Sequence, residues 1–165
     1  MAFFRRGEKP VSSSSFEYGR ILVPLLGVES VDDPAIKVAA LLFSGRSDTE
    51  VSLLHVIEVP FEQTLDRENE EAVAVADEIL SRAEAVLVER RISVRTSTVQ
   101  ARAAGPAIVD DANELGADLI VMGLRYKKRF GGQWDAGRTV PYVMRNSTAP
   151  VWCLRAETKE LAHTP

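Results

Sequence analysis

The sequence predicts an α/β fold: a three-layer sandwich in which helices cover both faces of a five-stranded parallel sheet. Three observations predict it. Short apolar runs such as Ile21–Leu25 and Asp118–Met122 are continuous, as strands covered on both faces require. Segments of helical periodicity separate these runs, the longest repeating Ala72, Ala76, Leu80, Ala83 and Leu87. The alternation of strand and helix then continues to a closing strand, and right-handed crossovers make the sheet parallel.

Taken in order, Ile21–Leu25 is the first strand and Gly27 ends it. Asp33-Pro34 supplies an N-cap and a first-turn proline for a helix that buries Ile36, Ala39, Ala40 and Phe43 and stops at Gly45. Val51–Val59 is the second strand, Pro60–Asp66 a loop, and the long helix follows. Ile92–Val99 alternates as a third strand with Ser93, Arg95 and Ser97 on one face. Gly105-Pro106 opens a helix with Ile108, Val109, Ala112 and Leu115 inward, and Gly116 is a suitable stop. Asp118–Met122 is the fourth strand, closed by Gly123. Thr139 is the candidate N-cap of a last short helix carrying Val140, Val143 and Met144, after which Pro150 opens the final strand.

Composition narrows the function. The 165 residues suit one domain, and 45% hydrophobic content suffices for its core. We divide the chain into a flexible tail (1–17), the domain (18–156) and a second tail (157–165). Lys and Arg total 20 against 24 Asp and Glu, and the net charge of −4 argues against nucleic acid or a membrane surface as partner. Cys153 is the single cysteine, so a disulfide framework is excluded and a cytoplasmic location is expected. No apolar segment is long enough for membrane insertion.

The most informative stretch is Ala117–Arg155, which reads as strand, basic loop, helix, strand. Arg125, Lys127, Lys128, Arg129 and Arg138 crowd a loop that leads into a helix N-terminus, where unpaired N–H groups and the helix dipole favour an anion. Gly131-Gly132 lets that loop turn or lets backbone approach a ligand. Trp134 reads equally as a stacking platform, a partner anchor or a lid over the core. A flavodoxin-like strand order, 3-2-1-4-5, places the ligand crevice between strands one and four, flanked by Gly27 and Gly123.

Other polar residues read as structure. His55 sits in an apolar strand and is expected to be a hydrogen-bonded imidazole, and Cys153 to be packing. Asp110 and Asp111 point about 100° apart on a helix and are expected on a solvated face. Asp32 and Asp33 are expected to cap a helix. No nucleophile–base pair, metal-ligand spacing or Walker lysine loop is present, so no catalytic residue and no metal ligand is assigned.

The pieces ILVPLLG, SLLHVIE, AAGPAIVDDANELGADLIVMG and GRTVPYVMRNSTAPVWCLR together resemble the universal stress protein family over residues 18–155. The resemblance implies a fold of the adenine-nucleotide-hydrolase type, a homodimer paired through the C-terminal strand, and nucleotide binding in some members. ATP-binding members carry a Gly-x-x-Gly pair followed at a fixed interval by Gly-Ser/Thr. Here Gly123 matches the first glycine, Tyr126 stands at the second, the interval to Gly137 is one residue longer, and Arg138 replaces the Ser/Thr just before Thr139. Leu26 stands where the family carries an acidic residue. These departures resemble the stress-protein domains attached to or encoded with amino-acid permeases and cation transporters, and they imply weak ATP binding with anion binding kept.

The resulting reading is a regulatory, non-enzymatic domain whose ligand contacts are Pro24, Leu26, Gly27, Gly123, Arg125, Arg129, Gly137, Arg138 and Thr139. No cofactor is fixed by the motifs, and an ATP- or AMP-type nucleotide is the first ligand class they imply. The alternative is a protein-interaction module that regulates a membrane transporter without a nucleotide.

Overall fold

Successive residues of β1 (Arg20–Leu25) face opposite sides of the sheet, and this sorts the core into two. Ile21, Val23 and Leu25 belong to one apolar cluster and Leu22 to the other. The computed structural model describes residues 18–43, 47–65, 69–125, 127–128 and 134–155. After β1 come α1 (Glu29–Phe43), β2 (Glu50–Glu58), α2 (Glu70–Val88), β3 (Ser93–Ala101), α3 (Ala104–Leu115) and β4 (Leu119–Gly123). Two short strands, β5 (Lys127–Lys128) and β6 (Trp134–Asp135), precede α4 (Thr139–Asn146) and β7 (Val151–Leu154).

The large sheet is parallel throughout, in the order β3-β2-β1-β4-β7, which is the predicted 3-2-1-4-5 with β7 as the fifth long strand. Helices α1 and α2 cover one face through Ala35, Ile36, Phe43, Leu80 and Leu87. Helices α3 and α4 cover the other through Ile108, Ala112, Val140 and Val143. β1 and β4 lie at the centre, buried on both faces, which is why their sequences are unbroken apolar runs.

The ends of elements show where local sequence decides. Asn69 caps α2, its side chain accepting from the Ala72 N–H at 3.2 Å. Gly116 ends α3 in the left-handed region, at φ 61° and ψ 47°, as its position predicts. Two starts differ from expectation. α1 begins at Glu29, not at Asp33-Pro34, because the N–H groups of Val31 and Asp32 already bond to the Val28 carbonyl; Pro34 lies inside the helix. Thr139 is the first residue of α4 and not its cap; Arg138 holds the cap position without a side-chain hydrogen bond. The expected loop 124–138 also contains the antiparallel β5–β6 pair. Gly45, the tails 1–17 and 157–165, Tyr126, Arg129 and Gly131-Gly132 lie outside the described residues, and for Lys127, Lys128 and Trp134 only the backbone is described.

Both sheet edges are strands. On β3, Ser93 and Arg95 are exposed and Ser97 half-buried, and Arg95 pairs across to Glu50 at 3.4 Å. On β7, Trp152 is 38% exposed and meets Tyr18 edge-on, with ring centroids 5.8 Å apart.

Gly123 fixes how closely α1 seats over the end of β4. A Cβ there would stand 2.0 Å from the Val31 carbonyl oxygen and 2.7 Å from its carbon, both backbone atoms that cannot swing aside. We predict that Gly123→Ala destabilises the fold by about 2–3 kcal/mol through this overpacking. At about 2–4 °C per kcal/mol for a domain of this size, the melting midpoint falls by roughly 4–12 °C. An unchanged midpoint would show that α1 does not need this approach.

Candidate functional site

The β1–α1 turn is built from its own backbone and one carboxylate. Asp32 is only 5% exposed, and it accepts from the N–H groups of Leu26 (2.9 Å), Gly27 (2.8 Å) and Val28 (3.1 Å). Asp32 thus does not cap a helix as expected: it lies in the first turn of α1, and its carboxylate reaches backwards to the strand exit. Asp33 instead pairs with Lys37 one turn on, at 3.5 Å on the surface. With its amide held, Leu26 turns its side chain outward, 38% exposed. Gly27 takes φ +76°, and a Cβ there would also lie 2.6 Å from Ile79 Cδ1.

Beyond the carboxyl ends of the strands lies a cleft of about 480 Å³. Its floor is the strand exits at Pro24, Leu26 and Met122, with the end of β2 from His55 to Glu58 forming one side. The starts of three helices border it: Asn69 and Glu71 at α2, Ala104 at α3 and Thr139 at α4. A second hollow of about 310 Å³ shares Leu26, Met122 and Thr139 with the first and adds Arg125, Gly137 and Arg138. The two lobes adjoin across these shared residues, the first mostly apolar with acidic residues, the second carrying two arginines.

Of the sequence-predicted residues, Pro24, Leu26, Arg125, Gly137, Arg138 and Thr139 line these lobes. Gly27 and Gly123 do not. Gly27 borders a small hollow between α1 and α2, and Gly123 is buried against Val31. Gly137 has φ +73° with open space around its missing Cβ. β1 and β4 are direct neighbours, and Pro24, Leu26 and Met122 at their ends line the hollows.

Sequence reasoning missed Glu58. Its Oε1 accepts from the Ala104 N–H at 2.7 Å, capping α3 from the end of β2. The signal was Ala103, a cap position without a polar side chain, which leaves α3 in need of an acceptor from elsewhere. Nearby, Arg102 donates to the Val59 carbonyl at 3.2 Å and to that of Pro60, and its guanidinium lies 5.3 Å from the Phe61 ring centroid. This ties the β2 exit to the β3 exit beside the cleft.

The remaining polar residues take structural places. His55 Nδ1 donates to the Leu25 carbonyl at 3.0 Å, although its ring also borders the cleft. Cys153 packs against the α3–α4 core cluster, and burial pushes its thiol up. Asp110 is exposed as expected, whereas Asp111 is half-buried, and burial followed by the charge of Glu114 pushes its carboxyl up. Among the described residues no group of three or more His, Cys, Asp or Glu could hold a metal, and no helix is long and apolar enough to cross a membrane.

The profile of the Universal stress protein family matches residues 17–155. The chain belongs to the universal stress protein family. No curated protein matches it. Among solved structures, hypothetical protein MJ0577 is 25% identical to this universal stress protein, with a TM-score of 0.67, covering 86% of this chain and 99% of its own. The universal stress protein from Archaeoglobus fulgidus in complex with dAMP is 22% identical, with a TM-score of 0.66 and coverage of 82% and 97%. A universal stress protein family protein from Arabidopsis thaliana with AMP bound has a TM-score of 0.64 at 14% identity, covering 86% and 94%.

Burial pushes the Asp32 carboxyl above its ordinary 3.8, and the three amide donors and His55 only partly offset this. The folded protein therefore holds this proton to higher pH than the unfolded chain does. Asp32's contribution to stability falls as pH rises from 3.8 through the raised value, and is level above it. Urea unfolding in acid steps should show wild type losing stability relative to Asp32→Asn across that window. At neutral pH, Asp32→Ala leaves three amides without their acceptor and should cost about 1–3 kcal/mol. Wild type gaining stability relative to Asp32→Asn as pH rises through that window would contradict the assignment.

Proposed function

We propose that this universal stress protein is a ligand-binding regulatory domain without catalytic activity, and that its ligand is a nucleotide-class anion held in the two-lobed cleft. The observation that carries the reading is the adjacency of the lobes, which share Leu26, Met122 and Thr139 in their walls. An apolar compartment suited to a base and ribose thereby adjoins Arg125, Arg138 and the start of α4. Arg138 in the cap position makes no side-chain cap hydrogen bond, and the dipole of that start favours a phosphate. The dAMP and AMP complexes of the Archaeoglobus and Arabidopsis proteins, and a universal stress protein solved in complex with cAMP, support the ligand class.

Two described arginines suit one phosphate group, and Leu26 offers no side-chain acceptor to a nucleoside. Monophosphates should therefore bind better than ATP. A ligand at 100 times its Kd adds roughly 2.7 kcal/mol. This is a rise in melting midpoint of roughly 5–10 °C. AMP, dAMP or cAMP should produce it, magnesium-ATP should give less, and Arg138→Ala should remove most of it. If ATP gives the full shift, the demotion of ATP fails; if no nucleotide or sulfate shifts the midpoint, the cleft is not an anion site.

A second reading, a protein-interaction module that regulates a transporter, is favoured by the outward apolar side chain of Leu26 at the junction of the lobes. It predicts no nucleotide response at all. In either case we propose a cytoplasmic homodimer, since β7 is bonded to β4 on one side and carries the partly exposed Trp152 at the sheet edge. The mass of the native assembly tests this.

A further inference from the structure

Three helix starts border the cleft, and they are not equivalent. At α2, the Asn69 side chain caps the helix and Glu71 lines the first lobe. At α3, the Glu58 carboxylate occupies the Ala104 N–H. At α4 the side chain in the cap position, Arg138, makes no cap hydrogen bond, and Arg125 and Arg138 stand beside it. Both carboxylates of the lining lie in the first lobe and both arginines in the second. The cleft is therefore electrically polar along its length.

We propose that Glu58 fixes the direction in which the ligand binds and selects a ligand bearing an N–H donor at the end away from its phosphate. The proposal rests on the nucleotide reading of the cleft. A single contact, the Ala104 N–H, engages Oε1 of Glu58, and no other hydrogen bond or ion pair to this carboxylate is found among the described residues. The remaining oxygen of a fixed carboxylate accepts a donor and repels a phosphate, and with Glu58 on its amide the α3 start is closed to anions. The anionic end of the ligand is left with α4. The donor end, such as the exocyclic amine of an aminopurine, is left with the first lobe. Glu58 thus acts as a specificity-determining residue in the place where Leu26 offers nothing.

The test is calorimetry with AMP and with purine riboside 5′-monophosphate, which lacks only the amino group. Wild type should bind AMP at least about tenfold more tightly, the lower end for a hydrogen bond to a charged group. Glu58→Gln keeps an oxygen for the α3 cap but turns an NH₂ donor to the lobe, so the preference should shrink to less than about twofold; Arg138→Ala should weaken both ligands alike. A preference that survives Glu58→Gln overturns the proposal and leaves the nucleotide reading standing. If wild type binds neither ligand, the nucleotide reading itself fails, and amide spectra titrated with sodium sulfate decide the polarity. In wild type the amides from Arg138 to Val140 should respond and that of Ala104 should not, while in Glu58→Ala the Ala104 amide should join them. A response at Ala104 in wild type, or none at α4, overturns the proposal.

Discussion

In a parallel sheet every strand must leave by the same edge, and every helix must begin there. That constraint organises this protein. It brings the exits of β1, β2 and β4 and the starts of α2, α3 and α4 around one cleft without any residue being selected for that purpose. The order β3-β2-β1-β4-β7 adds the second condition, since winding reverses between β1 and β4 and the crossing helices diverge to opposite faces. The site is a consequence of topology, and individual side chains decide only what it accepts.

Those side chains divide the labour. Gly123 lets the first turn of α1 approach β4, and Asp32 holds the turn between β1 and α1 by three amides. Together they seat α1 against the strand ends and present Leu26 in the wall that the lobes share. Glu58 and Glu71 set the charge of one lobe, Arg125 and Arg138 that of the other. Charges placed at helix starts act where the dipole already favours anions, so each carboxylate cancels a potential anion site and each arginine reinforces one.

The sheet order and the helices were legible because their signals are local and periodic: unbroken apolar β1 and β4, and the stripe of Ala76, Leu80, Ala83 and Leu87 on α2. That Arg125, Arg138 and Thr139 meet at one hollow was legible because they cluster in sequence beside a recognisable helix start. What could not be read depends on distant partners. Glu58 caps a helix 46 residues away, and nothing near Glu58 announces it. Gly123 looked like an opening for a ligand, but its neighbour is the Val31 backbone from another element. The start of α1 was misplaced because Asp33-Pro34 is a strong local signal, whereas the bonds of Val31 and Asp32 to Val28 continue the helix upstream of it.

The central claim is that one polar cleft on this sheet holds one nucleotide-class anion per chain. Native mass spectrometry of the purified protein, before and after incubation with AMP, tests it most directly. The account predicts a dimer that carries up to two nucleotide masses, with Arg138→Ala appearing bare under the same conditions. A protein of bare mass in both samples would contradict it, as would a nucleotide adduct that Arg138→Ala retains in full.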